Sequence, residues 1–303
     1  MKTKILTTLL VLASSAFAAE TMRYSAAAGT ITKYSTITNT TTQALEPVTA
    51  TASDGSEVPK ELLESFDKAF VKTDISSVGD IIETVNEVQA DGTRIVTNKA
   101  TSTTKAASIP NAAAIKFTMR IAYKPDGSVE IQEVKYDTDE LQKEVAAALE
   151  KSADGVKKAQ QAASQGLYGV AFEPNTPISR TVENAGLGAL AGLGITGANI
   201  KGTITTTLTG RGPNGQYQFK NEVSTPAFDF KLAQPGVEIA YKVEASTASG
   251  TNSYLNDGRI ESSSISTKTS MIADIELPGQ KNVTYKLRVK LGIDSSTQIK
   301  LIP

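Results

Sequence analysis

Apolar and polar residues alternate one by one over long stretches of this chain. Between Val283 and Ile293 every second residue is apolar, and the residues between them are mostly Thr, Lys and Arg. A period of two is typical of a β-strand that buries one face and exposes the other. The same period from Ile115 to Tyr123 predicts a second strand of this kind.

Turn signals separate the predicted strands and join them into hairpins. Pro125 and Gly127 follow the strand at 115–123, and apolar residues resume at 129–131, which predicts a tight hairpin. The apolar positions then shift from odd to even numbers, so we expect a β-bulge near Gln132 or Glu133. Similar signals bound further predicted strands at 81–88, 94–104, 203–208, 217–223, 237–245, 260–270 and 271–277.

Two segments have the three- and four-residue spacing of apolar residues that predicts a helix. The first begins at Pro59, which is well placed as a first helical residue, and continues to Phe70. The second opens with a capping pair, Asp137 and Glu140, and continues to about Gln165. We therefore expect a mainly β fold of the α+β class, built on an antiparallel meander.

The amino terminus has the pattern of a cleavable secretory signal peptide. Lys2 and Lys4 precede a short apolar run, and residues 16–18 form an A-x-A cleavage site. We expect cleavage after Ala18, export to the periplasm or the extracellular space, and a single mature domain of residues 19–303. With 0 Cys the chain has no lipoprotein signal. No later segment is long and apolar enough to predict a membrane span.

The composition excludes several kinds of chemistry. The chain has 0 His and 0 Cys, which excludes a Ser-His-Asp triad, a thiol nucleophile, a thiolate zinc site and a disulfide. The carboxylates show no spacing that indicates a catalytic pair, so we expect no enzyme, no metal and no cofactor. Removal of Lys2 and Lys4 with the signal peptide changes the net charge from -1 to -3, which gives no long-range attraction to nucleic acid.

The order of elements carries a family resemblance. It includes a strand after Gly29, a hairpin followed by a central helix, a Phe-x-Pro sequence at Phe172, and a turn at 257–259 that opens a strand of alternating Ser and Thr. This order resembles the LolA/LppX-type periplasmic carriers of lipoproteins and lipids. The resemblance implies a strongly curved antiparallel sheet, an incomplete barrel, with helices packed on its concave side. It also implies an apolar cavity between sheet and helices that takes an acyl chain or lipid.

Six apolar residues of the two clearest strands are candidates for lining that cavity. Each of them has an alternative interpretation as an ordinary core residue. The two interpretations differ in one respect: a cavity requires apolar surface on the inner face that the helices leave uncovered, whereas an ordinary core does not. The six residues are Phe117, Met119, Ile121, Leu287, Val289 and Leu291.

A segment rich in Gly and Leu, residues 186–202, is a second candidate region. It carries no charge before Lys201, and its apolar residues include Leu187, Leu190, Leu193 and Ile195. One interpretation is a mobile apolar lip that admits an apolar ligand or touches a membrane. The other is a flexible loop that runs into an ordinary strand.

Two functions from different classes agree with these patterns. The leading hypothesis is an exported, soluble cell-envelope protein that binds a lipid or another hydrophobic small molecule. The alternative is a non-catalytic structural or assembly component of the envelope, with other envelope proteins as partners. Neither hypothesis involves nucleic acid or a membrane span.

Overall fold

The computed structural model describes residues 19–106, 114–137, 143–183, 195–196, 200–234, 237–279 and 283–303. The predicted signal peptide lies outside the described residues. The fold is mainly β, as expected. Two helices are described, α1 (Lys60–Ala69) and α2 (Lys143–Ser164). The strands are β1 (Glu20–Thr21), β2 (Ile31–Ala44), β3 (Thr49–Ala52), β4 (Thr73–Val88), β5 (Arg94–Ala106), β6 (Ala114–Tyr123), β7 (Val129–Asp137), β8 (Ala171–Phe172), β9 (Pro177–Glu183), β10 (Ile195–Thr196), β11 (Lys201–Arg211), β12 (Tyr217–Thr225), β13 (Phe228–Gln234), β14 (Val237–Val243), β15 (Ser246–Tyr254), β16 (Ile260–Pro278) and β17 (Thr284–Ile302).

One large antiparallel sheet contains every described strand except β1 and β8, which pair with each other. Its main strand order is β7-β6-β5-β4-β2-β17-β16-β15-β12-β11-β9. The sheet is not closed into a barrel, so β7 and β9 are edges. β16 and β17 have 19 residues each. Beyond the end of β15, β16 pairs with β14, and beyond the end of β2, β17 pairs with β3. These two long strands therefore link two parts of the sheet with different neighbours.

Alternation along the strands gives the sheet a core face and an outer face. The core face carries a first cluster of buried side chains, which come from β4 to β7 on one side and from β11, β12 and β15 on the other. Side chains from strands that are far apart in the sheet thus belong to one cluster. The sheet must therefore curl so that these two groups of strands face each other. The members of the first cluster are Met22, Tyr24, Ala26, Val85, Val96, Ile121, Val129, Ile131, Tyr168, Phe172, Leu208, Tyr217, Phe219 and Tyr254.

Two short segments fill the centre of the first cluster, and we call them the plug: residues 19–27, with β1, and residues 165–172, with β8. The ring of Tyr168 meets the rings of Tyr123 in β6 and Tyr254 in β15 edge-on, with centroids 5.3 and 6.5 Å apart. The Phe172 ring lies 5.0 Å from that of Phe219 in β12. The plug therefore connects the two halves of the curled sheet.

Two hairpin turns hold the plug in place by close backbone contact. Gly127 lies in the β6–β7 turn with φ of 86°, and a Cβ there would come within 2.4 Å of the Gly169 Cα. Gly258 lies in the β15–β16 turn with φ of 83°, and its Cβ would come within 2.5 Å of the carbonyl oxygen of Arg23. Glycine is required at both turns because the positive φ and the contact each exclude a side chain.

A second cluster lies on the core face at the far end of β16 and β17. Its members are Val48, Ala273, Ile275, Leu287, Val289 and Leu291. Leu63, Phe66 and Phe70 pack on it from α1 and its carboxyl-terminal end. These three residues recur at spacings of three and four, so they share one face of the helix, as the sequence predicts.

Helix α2 contacts both edge strands, β7 and β9. The side-chain oxygen of Gln161 accepts a 2.7 Å hydrogen bond from the Ile131 amide, and its amide group donates to the Val129 carbonyl oxygen. Gln161 thereby satisfies edge groups of β7 that a neighbouring strand would otherwise bond. The expected arrangement, with the helices on the concave side of the sheet, is not confirmed, because α2 lies along the edges.

The structure confirms the hairpin at 115–131 and its bulge. Arg120 pairs with Glu133 and Ile121 with Ile131, so Gln132 is the extra residue. The separate strands expected at 260–270 and 271–277 are wrong, because residues 260–278 form one strand. No glycine or proline interrupts this stretch, and β17 pairs with it continuously from Ser262 to Pro278.

Candidate binding surfaces

The six candidate ligand residues do not form one site. Ile121 belongs to the first cluster, Met119 packs against that cluster, and Phe117 in the same strand is half-buried. The other three residues, in β17, belong to the second cluster, where Leu287 and Val289 are almost completely buried. Three strands, β5, β4 and β2, separate β6 from β17. Side chains already packed in two separate clusters do not line a common cavity.

Most of the predicted apolar lip lies outside the described residues, namely Leu187, Leu190 and Leu193. Ile195 is described, and it lies in β10, where it pairs with Leu232 of β13. The backbone at this residue is therefore part of the sheet.

Between the two clusters the core face carries hydroxyl side chains, and we call this region the hydroxyl band. Several hydroxyls bond each other across neighbouring strands, with oxygen distances of 3.1 Å for Thr38 and Thr297 and 3.0 Å for Thr40 and Ser295. The side chains are half-buried and so keep part of their access to solvent. The band includes Thr36, Thr38, Thr40, Ser77, Ser295 and Thr297.

A buried carboxyl group lies next to the first cluster, on the same face of β4. Glu83 is 7% exposed, and its Oε1 accepts hydrogen bonds from the hydroxyls of Tyr24, at 2.8 Å, and Tyr34, at 3.3 Å. Nearby, Arg259 donates to the Thr32 hydroxyl at 2.8 Å. This network connects the plug with β2, β4 and the β15–β16 turn, so its evident effect is to hold these elements in register.

The electrostatics of Glu83 are dominated by burial. Burial raises the pKa of the Glu83 carboxyl, and the hydrogen bonds from Tyr24 and Tyr34 and the charge of Arg259 offset this only in part. Burial likewise raises the pKa of both tyrosines, and the nearby Glu83 charge raises it further. The tyrosines therefore act as neutral hydrogen-bond donors at physiological pH.

The raised pKa of Glu83 makes part of the stability pH-dependent. The folded state holds this proton more tightly than the unfolded chain, whose Glu pKa is about 4.3. The contribution of Glu83 is therefore fully present below that value and is lost as the pH rises through the folded-state pKa. We expect Glu83→Gln to gain stability relative to wild type with increasing pH, by up to about 1.4 kcal/mol per pH unit.

Urea unfolding of both proteins between about pH 4 and pH 8 measures this difference. Glu87→Gln, at an exposed position of the same strand, is the matched control. The difference in stability between Glu83→Gln and wild type should change over this range. A constant difference would contradict the raised pKa of the Glu83 carboxyl in the folded state.

The outer face carries exposed aliphatic residues where β4, β2 and β17 lie side by side. The most exposed of them is Ile31, at 62%. Lysines of β5, β2 and β17 lie among the aliphatic residues on the same face. We call this surface the outer patch, and it consists of Ile31, Ile37, Val78, Ile82, Ile302, Lys33, Lys99 and Lys300.

Sequence reasoning missed the Glu83 network, the plug and the outer patch. Alternation predicts that Ile81, Glu83 and Val85 share a face, and a Glu between two apolar residues of the buried face was an available signal. For the plug the available signal was weaker. Tyr24 and Phe172 stand in short segments without periodicity, although large aromatic residues are seldom left without a packing partner.

None of four surface depressions among the described residues is lined mainly by the predicted ligand residues. One of them, of about 620 Å³, lies between β7 and α2 and is bordered by Lys135, Asp137 and Glu150. Leu287 borders another depression, of about 490 Å³, together with charged residues of β16 and β17. Charged side chains take part in both of these linings, whereas the resemblance implies an apolar cavity.

In the described parts of the chain, no helix has the length and apolarity that crossing a bilayer requires. Among the same residues, no group of three or more acidic side chains is arranged to hold a metal ion. Comparison with known protein families finds no family that matches this chain, and no curated protein matches it. The similarity to LolA/LppX-type carriers therefore stays a prediction.

Proposed function

We propose that this protein is an exported, non-catalytic binding protein of the bacterial cell envelope. Its ligand is a lipid or an acyl-chain compound that lies on the core face of the sheet, along the hydroxyl band. The observation that carries this proposal is a half-buried stretch of core face, between two packed clusters, on which neither described helix packs.

The chemistry of the hydroxyl band supports an amphiphilic ligand. Ile299 and Ile265 lie on the same face as the hydroxyls of Thr297 and Ser295, so the surface offers contacts for an acyl chain and hydrogen bonds for a polar head. Threonine and serine hydroxyls both donate and accept. They exchange their mutual bonds for bonds to a ligand without a change of charge.

Export is part of the same proposal. Cleavage after Ala18 would leave Glu20 and Thr21, which form β1, on the mature chain. It would also retain the buried residues Met22, Tyr24 and Ala26 of the first cluster. Mass spectrometry of the protein from a periplasmic extract tests this step, and the expected amino-terminal residue is Ala19.

Ligand content is the direct test of binding. Protein purified without detergent is extracted with organic solvent, and the extract is analysed by mass spectrometry. We expect a lipid or acyl-chain compound in near-stoichiometric amount. An extract without such a compound, from protein that also takes up no added fatty acid, would contradict the proposal.

Two neighbouring positions of β2 provide a matched pair of variants. Thr38→Phe places a bulky ring in the hydroxyl band, whereas Asn39→Phe places the same ring on the exposed outer face. We expect at least a tenfold loss of bound compound for the first variant and no loss for the second. Equal ligand content in both variants would place the ligand elsewhere than on the core face.

A structural or assembly role in the envelope is the second candidate. The outer patch favours it, because exposed aliphatic residues that lie close together indicate a contact surface. Affinity capture from envelope extracts tests this candidate, with patch variants as controls. A monomeric protein that captures no envelope protein in a patch-dependent way would contradict it.

A further inference from the structure

Strand pairing arranges the outer patch as an alternating row of charged and aliphatic side chains. Lys99 pairs with Ile82, Ile82 pairs with Lys33, and Lys33 pairs with Ile302. The row thus crosses four adjacent strands, β5, β4, β2 and β17. Ile31 lies diagonally next to both Ile82 and Ile302, because it is two residues from Lys33 on the same strand face. Ile37 and Val78 form a direct pair four residues further along.

The aliphatic side chains of this row remain in contact with solvent. Ile82 is 40% exposed and Ile302 is 41% exposed, although neighbouring strands flank β4 on both sides and β17 on both sides. Among the described residues, nothing packs over them closely enough to bury them. A group of five such residues on adjacent strands therefore leaves apolar surface open to a partner.

The patch is positively charged in a chain of net charge -1. Lys33, Lys99 and Lys300 are exposed, and within the described part of the chain none of them forms a salt bridge. Asp80 is the one carboxylate on the same face between these lysines. The charge is therefore available to an anionic partner.

We propose that the outer patch binds an anionic phospholipid surface. The lysines approach the phosphate groups, while the isoleucines reach into the boundary between head groups and acyl chains. Lysine is depleted at the centre of protein–protein interfaces, yet here Lys33 lies at the centre of three isoleucines. Aliphatic residues interspersed with lysines are instead typical of segments that lie on anionic membranes. The proposal does not depend on a ligand at the hydroxyl band.

Vesicle sedimentation tests the proposal with the purified protein. The vesicles contain either phosphatidylcholine alone or phosphatidylcholine mixed with phosphatidylglycerol, at low and at physiological ionic strength. We expect binding to the anionic vesicles only, and weaker binding at the higher ionic strength because salt screens the lysine charges. Equal binding to both vesicle types, or binding to neither, would overturn the proposal.

Charge-reversal variants locate the binding surface. Lys33→Glu combined with Lys300→Glu is expected to weaken binding to the anionic vesicles by at least about tenfold, since each lysine near such a surface contributes about fivefold. Lys60→Glu combined with Lys242→Glu makes the same change in net charge elsewhere, on α1 and β14, and is expected to bind as wild type does. Equal loss in both variants would show a general charge effect and overturn the assignment to the patch.

A second pair of substitutions separates insertion from simple charge attraction. Ile82→Ser combined with Ile302→Ser keeps every lysine, and we expect a several-fold loss of binding that persists at low ionic strength. Unchanged binding would overturn the role of the isoleucines.

Sedimentation of the protein without vesicles tests whether the outer patch binds a second copy of the chain instead. A patch-dependent dimer would overturn the lipid assignment in favour of a second copy of this chain.

Discussion

Phe172→Ala is expected to lower the free energy of unfolding by about 3–5 kcal/mol, the range found when a buried Phe is truncated. Phe172 is 1% exposed, and its ring lies 5.0 Å from the Phe219 ring. Because Phe172 belongs to the plug and Phe219 to β12, the lost contacts connect the plug to the sheet. Urea denaturation followed by circular dichroism measures the effect.

Val78→Ala is the control for this variant. Val78 is 49% exposed on the outer face, and we expect its truncation to change stability by no more than about 0.5 kcal/mol. If Phe172→Ala lowers the free energy of unfolding by less than about 1 kcal/mol, Phe172 is not packed in the first cluster as described above. A loss in the expected range would show that the segments around β1 and β8, short as they are, belong to the folding core.

Glu83→Ala is expected to destabilise the protein by about 2–4 kcal/mol, because it leaves two buried tyrosine hydroxyls without their acceptor. The hydroxyls of Tyr24 and Tyr34 both donate to Glu83. An unsatisfied buried polar group costs about 1–3 kcal/mol. The substitution also removes a buried carboxyl group that is costly to ionise, which offsets part of this cost. The expected loss is therefore smaller than the sum of two unsatisfied hydroxyls and the cavity that the Glu83 side chain leaves.

A triple variant distinguishes lost hydrogen bonds from lost packing. Combining Glu83→Ala with Tyr24→Phe and Tyr34→Phe removes both donors together with the acceptor, and the removal of both partners is often close to neutral. We therefore expect the triple variant to be more stable than Glu83→Ala alone. If the three losses simply add, the tyrosines do not depend on Glu83 and the network is wrong.

A strand is easier to predict from the sequence when more of its residues belong to one of the two buried clusters. Alternation predicts β6 within one residue of its bounds, because Phe117, Met119 and Ile121 contrast with the polar residues between them. It finds no such contrast in β2, where Thr and Ser occupy both faces beside the hydroxyl band. β15 (Ser246–Tyr254) was not predicted at all, because it has the same composition. A period of two is detectable only where one face is apolar.

The candidate site was less predictable than the strands for a physical reason. The alternation places Leu287 and Ile121 on buried faces, and both are buried. Whether two buried faces meet depends on the order of strands in the sheet, and β17 pairs with β2 although more than 240 residues separate them. No local pattern encodes that pairing, so the two sets of residues were expected to line one cavity, whereas they lie in two separate clusters of the same face.

Neighbouring residues alone determined the periodicity of strands and helices and the tight turn at Gly127. Composition alone excluded reactions that need a His or Cys side chain of this chain. Tertiary structure decided what those elements enclose. The curl of the sheet around the plug buries Glu83 among tyrosines and separates the two clusters. Contact between residues distant in sequence depends on how the whole chain pairs, and that pairing became visible only in the fold.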